Sequence, residues 1–285
     1  MKKISFSTKG LRADIGNIAI HRLLPNRCSN AVGPFVFLDH IPLADISRLH
    51  EKGTGEHPHR GIATLTYMLQ GVAEHCDSIG NHTKVHAGGV QWMMAGSGIV
   101  HDESFEFESI SGAKYAHAFQ FWINLPSQKK TEKPEYLAIE GKDVPCKALE
   151  DSAGWIKVIL GTYENLTSIV PDFSHQFMYH LHLEPGKSFS IQLDAGIEAA
   201  AVLPSNGAEV NDAEYCGGEF IEFDRKEGPI KFRNSSKTET DILLFGGEHY
   251  AEPIVARGPF VMNSATEIAG AYRDYVAGKY GEITR

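Results

Sequence analysis

The sequence predicts an all-β protein of short antiparallel strands that ends in one α-helix. Between residues 55 and 103, runs rich in β-branched and aromatic residues are separated by the turn residues Gly71, 77–81 and 87–89. Similar runs recur at near-regular spacing from residue 155 to residue 245. The chain also has 28 glycines and 13 prolines, which suits many tight turns.

The first half contains seven predicted strands. The run 33–40 is apolar and ends in polar residues, which indicates a strand that leads into a loop at the mouth of a barrel. The run 116–125 is strongly β-prone and stops at Pro126. The seven predicted strands lie within 18–22, 33–40, 63–69, 72–76, 84–86, 90–94 and 116–125.

The second half repeats this pattern, which predicts a second barrel or sandwich and is consistent with an internal duplication. Its predicted strands are 155–161, 177–183, 188–193, 199–203, 219–223, 230–232 and 242–245. The polar, lysine-containing segment 127–134 is interpreted as a solvated linker between the halves. We therefore expect one domain at 1–134 and another at 135–285.

The helix is predicted after Asn263. Ser264 as N-cap and Glu267 at the third helical position form a capping box. Apolar residues then follow at helical spacing before Gly278, and we expect them to form one buried stripe. They are Ile268, Ala271, Tyr272, Tyr275 and Val276.

The composition and charge of the chain argue against several classes of function. The formal net charge of −9 argues against binding to nucleic acid or to an anionic membrane. The first residues are too polar for a signal peptide, and no apolar run reaches the ~18 residues that a membrane span needs. Four widely spaced cysteines, Cys28, Cys76, Cys146 and Cys216, favour reduced thiols over a disulfide framework. We expect a cytoplasmic protein.

Two pairs of metal-type ligands stand at the ends of the 55–103 stretch. His57 and His59 form one pair, and His101 and Glu103 form the other. Residues at positions i and i+2 of a strand point to the same face, so both pairs are predicted to face one cavity. Imidazoles with a carboxylate suit a divalent first-row transition metal and suit calcium or magnesium poorly. Four such ligands leave two octahedral positions for other ligands.

The residues near these candidate ligands allow more than one interpretation. With 14 histidines, chance pairs at this spacing occur, and we interpret His180 and His182 as an ordinary strand face. Pro58 removes a backbone donor, which predicts a strand start or a sheet edge near the mouth of the barrel. Arg60 is expected to pair with Glu56, with binding of a substrate anion as the alternative.

Motifs along nearly the whole chain closely resemble the pirin family, a branch of the cupin superfamily. They lie at 35–40, 57–61, 64–67, 75–80, 91–93, 95–103, 120–126 and 258–263. The resemblance implies a bicupin: two face-to-face antiparallel β-barrels of jelly-roll type, with a C-terminal helix. It also implies one metal ion in the N-terminal barrel and none in the C-terminal barrel.

Carried over position by position, the implied metal ligands are His57, His59, His101 and Glu103. Fe(II) is the expected ion, and Cu, Ni, Mn and Zn are alternatives because the same ligands accept all of them. Two positions depart from the family pattern. Ala63 stands where relatives often carry Glu, so one carboxylate is missing, and Asp102 replaces a more usual Ser and adds negative charge beside the site.

The resemblance implies quercetin 2,3-dioxygenase activity. The metal would lower the pKa of the flavonol 3-hydroxyl group, and Glu103 would act as general base if it loosens from the metal. O2 would then open the ring with loss of carbon monoxide. A competing interpretation is a metal-sensing or redox-sensing regulatory protein that binds a protein partner. A third is a metal site with a structural role only. We expect a monomer.

Overall fold

The computed structural model describes residues 1–15, 18–45, 53–106, 108–110 and 113–284 of the chain. Antiparallel strands dominate these residues, and α1 (Ala265–Val276) is the only α-helix among them. The all-β prediction with a C-terminal helix is confirmed. Within the same ranges, no helix has the length and apolar character that crossing a membrane requires.

The strands follow one another closely along the chain. Those of the first half are β1 (Ile4–Thr8), β2 (Leu11–Ile15), β3 (Ile18–Leu24), β4 (Phe35–Asp45), β5 (His57–His59), β6 (Ile62–Gln70), β7 (Val72–Asp77), β8 (His82–His86), β9 (Val90–Met94), β10 (Ile99–Glu106), β11 (Glu108–Ile110), β12 (Ala113–Asn124) and β13 (Glu135–Ile139). Those of the second half are β14 (Cys146–Ala148), β15 (Gly154–Leu160), β16 (Thr162–Tyr163), β17 (Leu166–Thr167), β18 (Gln176–Leu183), β19 (Ser188–Leu193), β20 (Glu198–Val202), β21 (Ala208–Val210), β22 (Ala213–Tyr215), β23 (Phe220–Phe223), β24 (Gly228–Arg233), β25 (Thr240–Gly247), β26 (Val255–Arg257) and β27 (Phe260–Met262).

The chain forms two compact units, and each consists of segments that are not consecutive in the sequence. Unit 1 consists of Met1–Arg12, His21–Phe35 and Val144–Tyr250, and unit 2 of Ala13–Ile20, Val36–Asp143 and Ala251–Arg285. The expected division into 1–134 and 135–285 differs from these units at both ends of the chain. β1 pairs with β23 and so completes a sheet of unit 1, whereas α1 packs on residues of unit 2.

Unit 2 contains the stretch with the predicted metal ligands. Its larger sheet has the strand order β13-β9-β6-β12-β4-β3-β2, with β11 added to β12. Its smaller sheet has the order β5-β10-β7-β8. Met68, Ala73 and Phe105 belong to the buried apolar cluster of this unit. The short strand β5 lies at the edge of the smaller sheet, as the proline at position 58 predicted.

Unit 1 has a similar pair of sheets. The larger has the order β1-β23-β20-β25-β18-β15-β14, and the smaller has the order β19-β24-β21-β22. Ile191, Phe232 and Leu244 are buried in its core. Buried apolar residues alternate with exposed polar residues along some of its strands. In β24, for example, Ile230 and Phe232 point into the core, and the other face of the strand is exposed.

The N-terminus of α1 is capped as the sequence predicted. Ser264 is the N-cap, and its hydroxyl oxygen accepts the backbone N–H of Glu267 at 3.2 Å. The carboxylate of Glu267 accepts the backbone N–H of Asn263 at 2.8 Å, one residue before the expected position.

Only two of the five residues predicted for the apolar stripe of α1 are buried. Ile268 and Ala271 are buried, but Tyr272 and Tyr275 are each 38% exposed and Val276 is 84% exposed. The reason is that Tyr280, beyond the helix, folds back and donates a hydrogen bond to the carbonyl of Ala271 at 2.8 Å. Its ring is 4% exposed and shares a buried cluster with Ile268 and Ala271.

The predicted solvated linker contains a buried ammonium group. Residues Ser127–Thr131 form a 3₁₀ helix, and Lys130 is only 1% exposed. Its Nζ donates to the carbonyl oxygens of Gly61 and Val261, both at 2.8 Å, and to the side-chain oxygen of Asn124. Each of the three N–H donors of the ammonium group therefore has one oxygen acceptor. Gly61 has φ +80°, and a Cβ there would lie 2.0 Å from the Val261 carbonyl, so the position requires glycine.

We predict that Lys130→Met lowers the free energy of unfolding by about 2–4 kcal/mol, because it leaves buried acceptors without donors. The matched control is Lys129→Met. Lys129 pairs with Glu132 near the surface, so its loss should change the free energy of unfolding by less than about 0.5 kcal/mol. Chemical denaturation of both variants measures the difference. Equal effects would contradict the anchoring role of Lys130.

Candidate metal centre

The candidate site is built on strands β5, β10 and β7 of the smaller sheet of unit 2. His101 on β10 lies directly opposite His57 on β5, and Glu103 lies opposite His75 on β7. His57 and His59 are two residues apart on β5, so both rings point to the same face of the sheet. Strand alternation and register together bring these side chains to one place.

Three of the four predicted ligands form a group. His57, His59 and His101 each offer a ring nitrogen, and these nitrogens all lie within 4.8 Å of one another. The Nε2 atoms of His57 and His101 are 3.0 Å apart. Nitrogens that bind one transition metal at about 2.1 Å in neighbouring positions are separated by about 3 Å, so this spacing fits a shared ion.

Backbone carbonyls fix the orientation of two of these rings. The Nδ1 atom of His57 lies 2.7 Å from the Gly55 carbonyl oxygen, and that of His59 lies 3.0 Å from the Pro259 carbonyl oxygen. A carbonyl only accepts, so each Nδ1 carries the proton and each Nε2 has its lone pair available for a metal. His101 Nδ1 is buried and has no hydrogen-bond partner among the described residues.

Burial keeps the imidazoles of His59 and His101 neutral. His59 is 1% exposed, and burial, followed by the neighbouring His57, lowers the pKa of His59 to about 3 despite its hydrogen bond to Pro259. Burial likewise lowers the pKa of His101 well below its usual range. Metal ligation requires unprotonated imidazole, so both rings are in the form that can bind an ion at neutral pH. The donor set therefore fits a divalent transition metal.

Glu103 lies beside this group. Its carboxylate clusters with His75 and His101, and it lines the same cavity as His57 and His59. The Thr66 hydroxyl oxygen is 2.8 Å from Glu103 Oε1. This contact holds one carboxylate oxygen in a fixed direction.

His75 is a site residue that the sequence interpretation missed. Its Nε2 lies 3.0 Å from Asp77 Oδ2, and its ring stacks on Tyr136 with centroids 4.2 Å apart. The available signal was the spacing of His75 and Asp77, the same i and i+2 pattern that identified the other pairs.

A small aromatic cavity adjoins the imidazoles. Its volume is about 80 Å³. The rings of Phe37 and Trp122 stack in its wall at 4.2 Å, and Trp122 also packs edge-on against His59 at 4.9 Å. The lining residues are Ile20, Phe37, Asp39, Ile41, Thr54, His57, His59, Glu103, Phe105, Gln120 and Trp122.

The expected pairing of Arg60 with Glu56 was wrong. Arg60 Nη1 lies 2.7 Å from Asp274 Oδ2 and also contacts the Tyr280 hydroxyl at 3.3 Å. Both partners come from the C-terminal segment, far away in the sequence. Local sequence therefore gave no information on this pair.

The two departures from the family pattern lie in different surroundings. Ala63 on β6 is 1% exposed and stands opposite Met94 and Ile123 in the larger sheet. Asp102 lies between His101 and Glu103 on β10, and alternation turns its side chain to the opposite face of the sheet. It lines a separate cavity there.

His180 and His182, which we interpreted as an ordinary strand face, share one partner. His180 Nε2 lies 3.0 Å and His182 Nδ1 lies 2.8 Å from Asp241 Oδ1. Trp155 stacks on His182 with ring centroids 5.0 Å apart. A carboxylate and an indole therefore account for the placement of these two rings.

We predict that the metal-free protein loses stability as the pH falls below 6.5, in part through His59. Its folded pKa of about 3 lies below the unfolded value of 6.5, so the unfolded chain binds more protons between these values. The loss reaches up to about 1.4 kcal/mol per pH unit. Urea denaturation at pH 6.5 and 5.0 should show a decrease about 2 kcal/mol smaller in His59→Gln than in the wild type.

The exposed His86 supplies the control, because its side chain is 59% exposed. His86→Gln should keep the wild-type pH dependence. A His59→Gln variant that also keeps it would contradict the assignment of this dependence to His59.

Comparison with known proteins identifies the family. The pirin model matches residues 17–123, and the model of the pirin C-terminal cupin domain matches residues 178–281. A Pseudomonas aeruginosa protein, provisionally named quercetin 2,3-dioxygenase, is 33% identical over 258 residues, which cover 90% of this chain and 89% of that protein. Pirin-1 of Arabidopsis thaliana is 33% identical over 252 residues, with coverage of 87% and 83%.

Solved structures agree with this assignment. The crystal structure of quercetin 2,3-dioxygenase from Acinetobacter baumannii has a TM-score of 0.89, with 31% identity over 100% of both chains. The Escherichia coli pirin YhhW, crystallised with nickel(II), is 18% identical, has a TM-score of 0.66 and covers 85% of this chain and 99% of its own, which supports the fold alone. Both halves of the chain match, and each unit has a pair of antiparallel sheets, so the chain belongs to the pirin family and has its bicupin fold.

Proposed function

We propose that this protein is a metal-dependent dioxygenase that cleaves quercetin or a related flavonol with O2. The observation that carries the proposal is the convergence of three imidazoles, from His57, His59 and His101, beside an aromatic cavity that Glu103 also lines. The quercetin 2,3-dioxygenase from Acinetobacter baumannii, similar in structure over its full length, supports the same chemistry. The proposal includes a cytoplasmic location and a monomeric state.

The metal would be held by His57, His59, His101 and Glu103. Two of the imidazoles are kept neutral by burial, and two have Nδ1 atoms fixed by carbonyls. Fe(II) is the proposed ion, with Cu, Ni, Mn and Zn as alternatives. A bound ion of this kind acts as a Lewis acid and lowers the pKa of a hydroxyl group that it contacts.

Glu103 is the proposed general base for the flavonol 3-hydroxyl proton, a role for which it must loosen from the metal. It is 6% exposed, so a proton that it accepts is not shared freely with bulk water. Thr66 Oγ1 lies 2.8 Å from Glu103 Oε1 and 2.6 Å from the side-chain oxygen position of Gln120. A hydroxyl donates only one proton. Both contacts are satisfied when the Gln120 amide is rotated so that its NH2 group donates to Thr66.

The apolar walls orient an aromatic substrate and exclude water. Phe37 and Trp122 present stacked rings to the cavity, and Ile20, Ile41 and Phe105 complete its apolar surface. A flavonol ring can stack on such a wall in an offset or edge-on arrangement. Exclusion of water protects an electron-rich flavonolate from reprotonation by solvent.

The cavity must widen for a flavonol to bind. Its volume is about 80 Å³, whereas a cavity that holds one benzene ring measures roughly 150 Å³. The small volume favours a second candidate function, a regulatory protein whose metal or redox state alters the binding of a protein partner. Turnover of a flavonol separates the two.

We predict flavonol turnover by protein reconstituted anaerobically with Fe(II), mixed with quercetin and then exposed to O2. The flavonol absorbance should decay, with release of one carbon monoxide per flavonol. At saturating metal, Glu103→Gln should lower the rate by at least about 100-fold, because the general base is lost. His57→Ala should lose metal and activity together.

The surface pair His86 and Glu140 supplies controls of the same residue types, since both side chains are exposed and their atoms lie 3.2 Å apart. His86→Ala and Glu140→Gln should leave metal content and turnover unchanged. If protein loaded in turn with Fe(II), Cu, Ni, Mn and Zn leaves quercetin intact, the dioxygenase proposal fails. Capture of a protein partner by the ferrous but not the ferric form, lost in His57→Ala, would then support the regulatory function.

A further inference from the structure

A second cluster of metal-type side chains lies on the opposite face of the same sheet. Glu74 and Cys76 on β7 alternate with His75, and Asp102 on β10 alternates with His101. His82 on β8 completes the cluster. Alternate residues of a strand point to opposite faces, so this outer cluster is separated from the imidazoles of the candidate metal centre by the sheet itself.

The strand register places Cys76 in the middle of the outer cluster. Cys76 stands opposite His82 on β8 and opposite Asp102 on β10. Directly opposed residues of antiparallel strands have Cβ atoms about 4.5–5.5 Å apart, so both neighbours are within reach of the thiol. Glu74, two residues earlier on β7, stands on the same face.

The side chains converge in the outer cluster. One ligand atom each from Glu74, Cys76 and His82 lies within 4.8 Å of the other two, and His82 Nε2 is 2.6 Å from Glu74 Oε1. They line a cavity of about 260 Å³ together with Asp102, Ser104 and Thr284. Ligand atoms around one tetrahedral Zn²⁺ lie roughly 3.4–3.6 Å apart. These side chains are partly exposed, and a bound ion would require them to rotate to that spacing.

We infer that the outer cluster is a thiolate-containing site for a divalent metal of the zinc class, with Glu74, Cys76 and His82 as ligands and Asp102 or water as the fourth. A soft thiolate, an imidazole and a carboxylate select zinc or cobalt over magnesium or calcium. The bound cation would replace the ammonium group of Lys84, which lies 3.9 Å from Glu74 Oε2. The site does not depend on the proposed dioxygenase function.

A simple surface ion pair between His82 and Glu74 is the competing explanation. The His82 side chain is 66% exposed, and exposed ion pairs contribute little to stability. Such a pair needs neither the thiol nor Asp102 beside it. Participation of the thiol is therefore the observation that separates the two explanations.

Co²⁺ is the probe of choice, because a cobalt–thiolate bond gives a charge-transfer absorption in the near ultraviolet. The candidate metal centre contains no cysteine among the described residues, so this band separates the outer cluster from that centre. Titration of full-length, reduced, metal-free protein with Co²⁺ should produce the band, and Zn²⁺ should abolish it by displacement. Cys76→Ser should remove the band, and His82→Ala should weaken Co²⁺ binding by more than about 100-fold, since even partners of ligands account for 10–100-fold.

Controls separate this site from the other one. His86→Ala on the same strand and Cys146→Ser, an exposed cysteine elsewhere, should keep the band. His57→Ala should keep it too, although the total metal bound falls. Absence of the band in the wild type, or its persistence in Cys76→Ser with unchanged affinity, would overturn the inference.

Discussion

Strand alternation in one small sheet is the constraint on which the candidate metal centre of this protein depends. β5, β10 and β7 are paired so that His57 meets His101 and Glu103 meets His75. A slip of one residue in either pairing would turn the imidazoles to the other face. The same rule produces two sets of metal-type side chains, one on each face of β7 and β10.

Burial and backbone carbonyls make this arrangement suitable as a set of candidate metal ligands. An exposed imidazole is half protonated near pH 6.5, but burial makes protonation of His59 and His101 unfavourable. Carbonyls at Gly55 and Pro259 then settle which nitrogen of His57 and His59 carries the proton. Burial and these two carbonyls, as well as the imidazoles themselves, therefore favour the binding of a cation.

The C-terminal segment of unit 2 contacts β5, which contains His57 and His59, and the residues directly after this strand. Pro259 accepts from His59, Asp274 pairs with Arg60, and the Val261 carbonyl binds the ammonium group of Lys130, which also holds Gly61. All three contacts join positions more than 130 residues apart in the sequence. This explains why α1 and β27 belong to the unit with the candidate metal centre although they follow unit 1 in the chain.

The sequence by itself determined the local structure: the strands between their turn residues, the cap at Ser264, and the i and i+2 spacing of His57 with His59 and of His101 with Glu103. These features depend on neighbours within a few residues, where backbone geometry and side-chain chemistry suffice. Only the tertiary structure decided that Lys130 is buried, that Tyr280 replaces part of the helix stripe, and that Arg60 pairs with Asp274. Each of those outcomes depends on which distant segments pack together, and the local periodicity of the sequence contains no information on that packing.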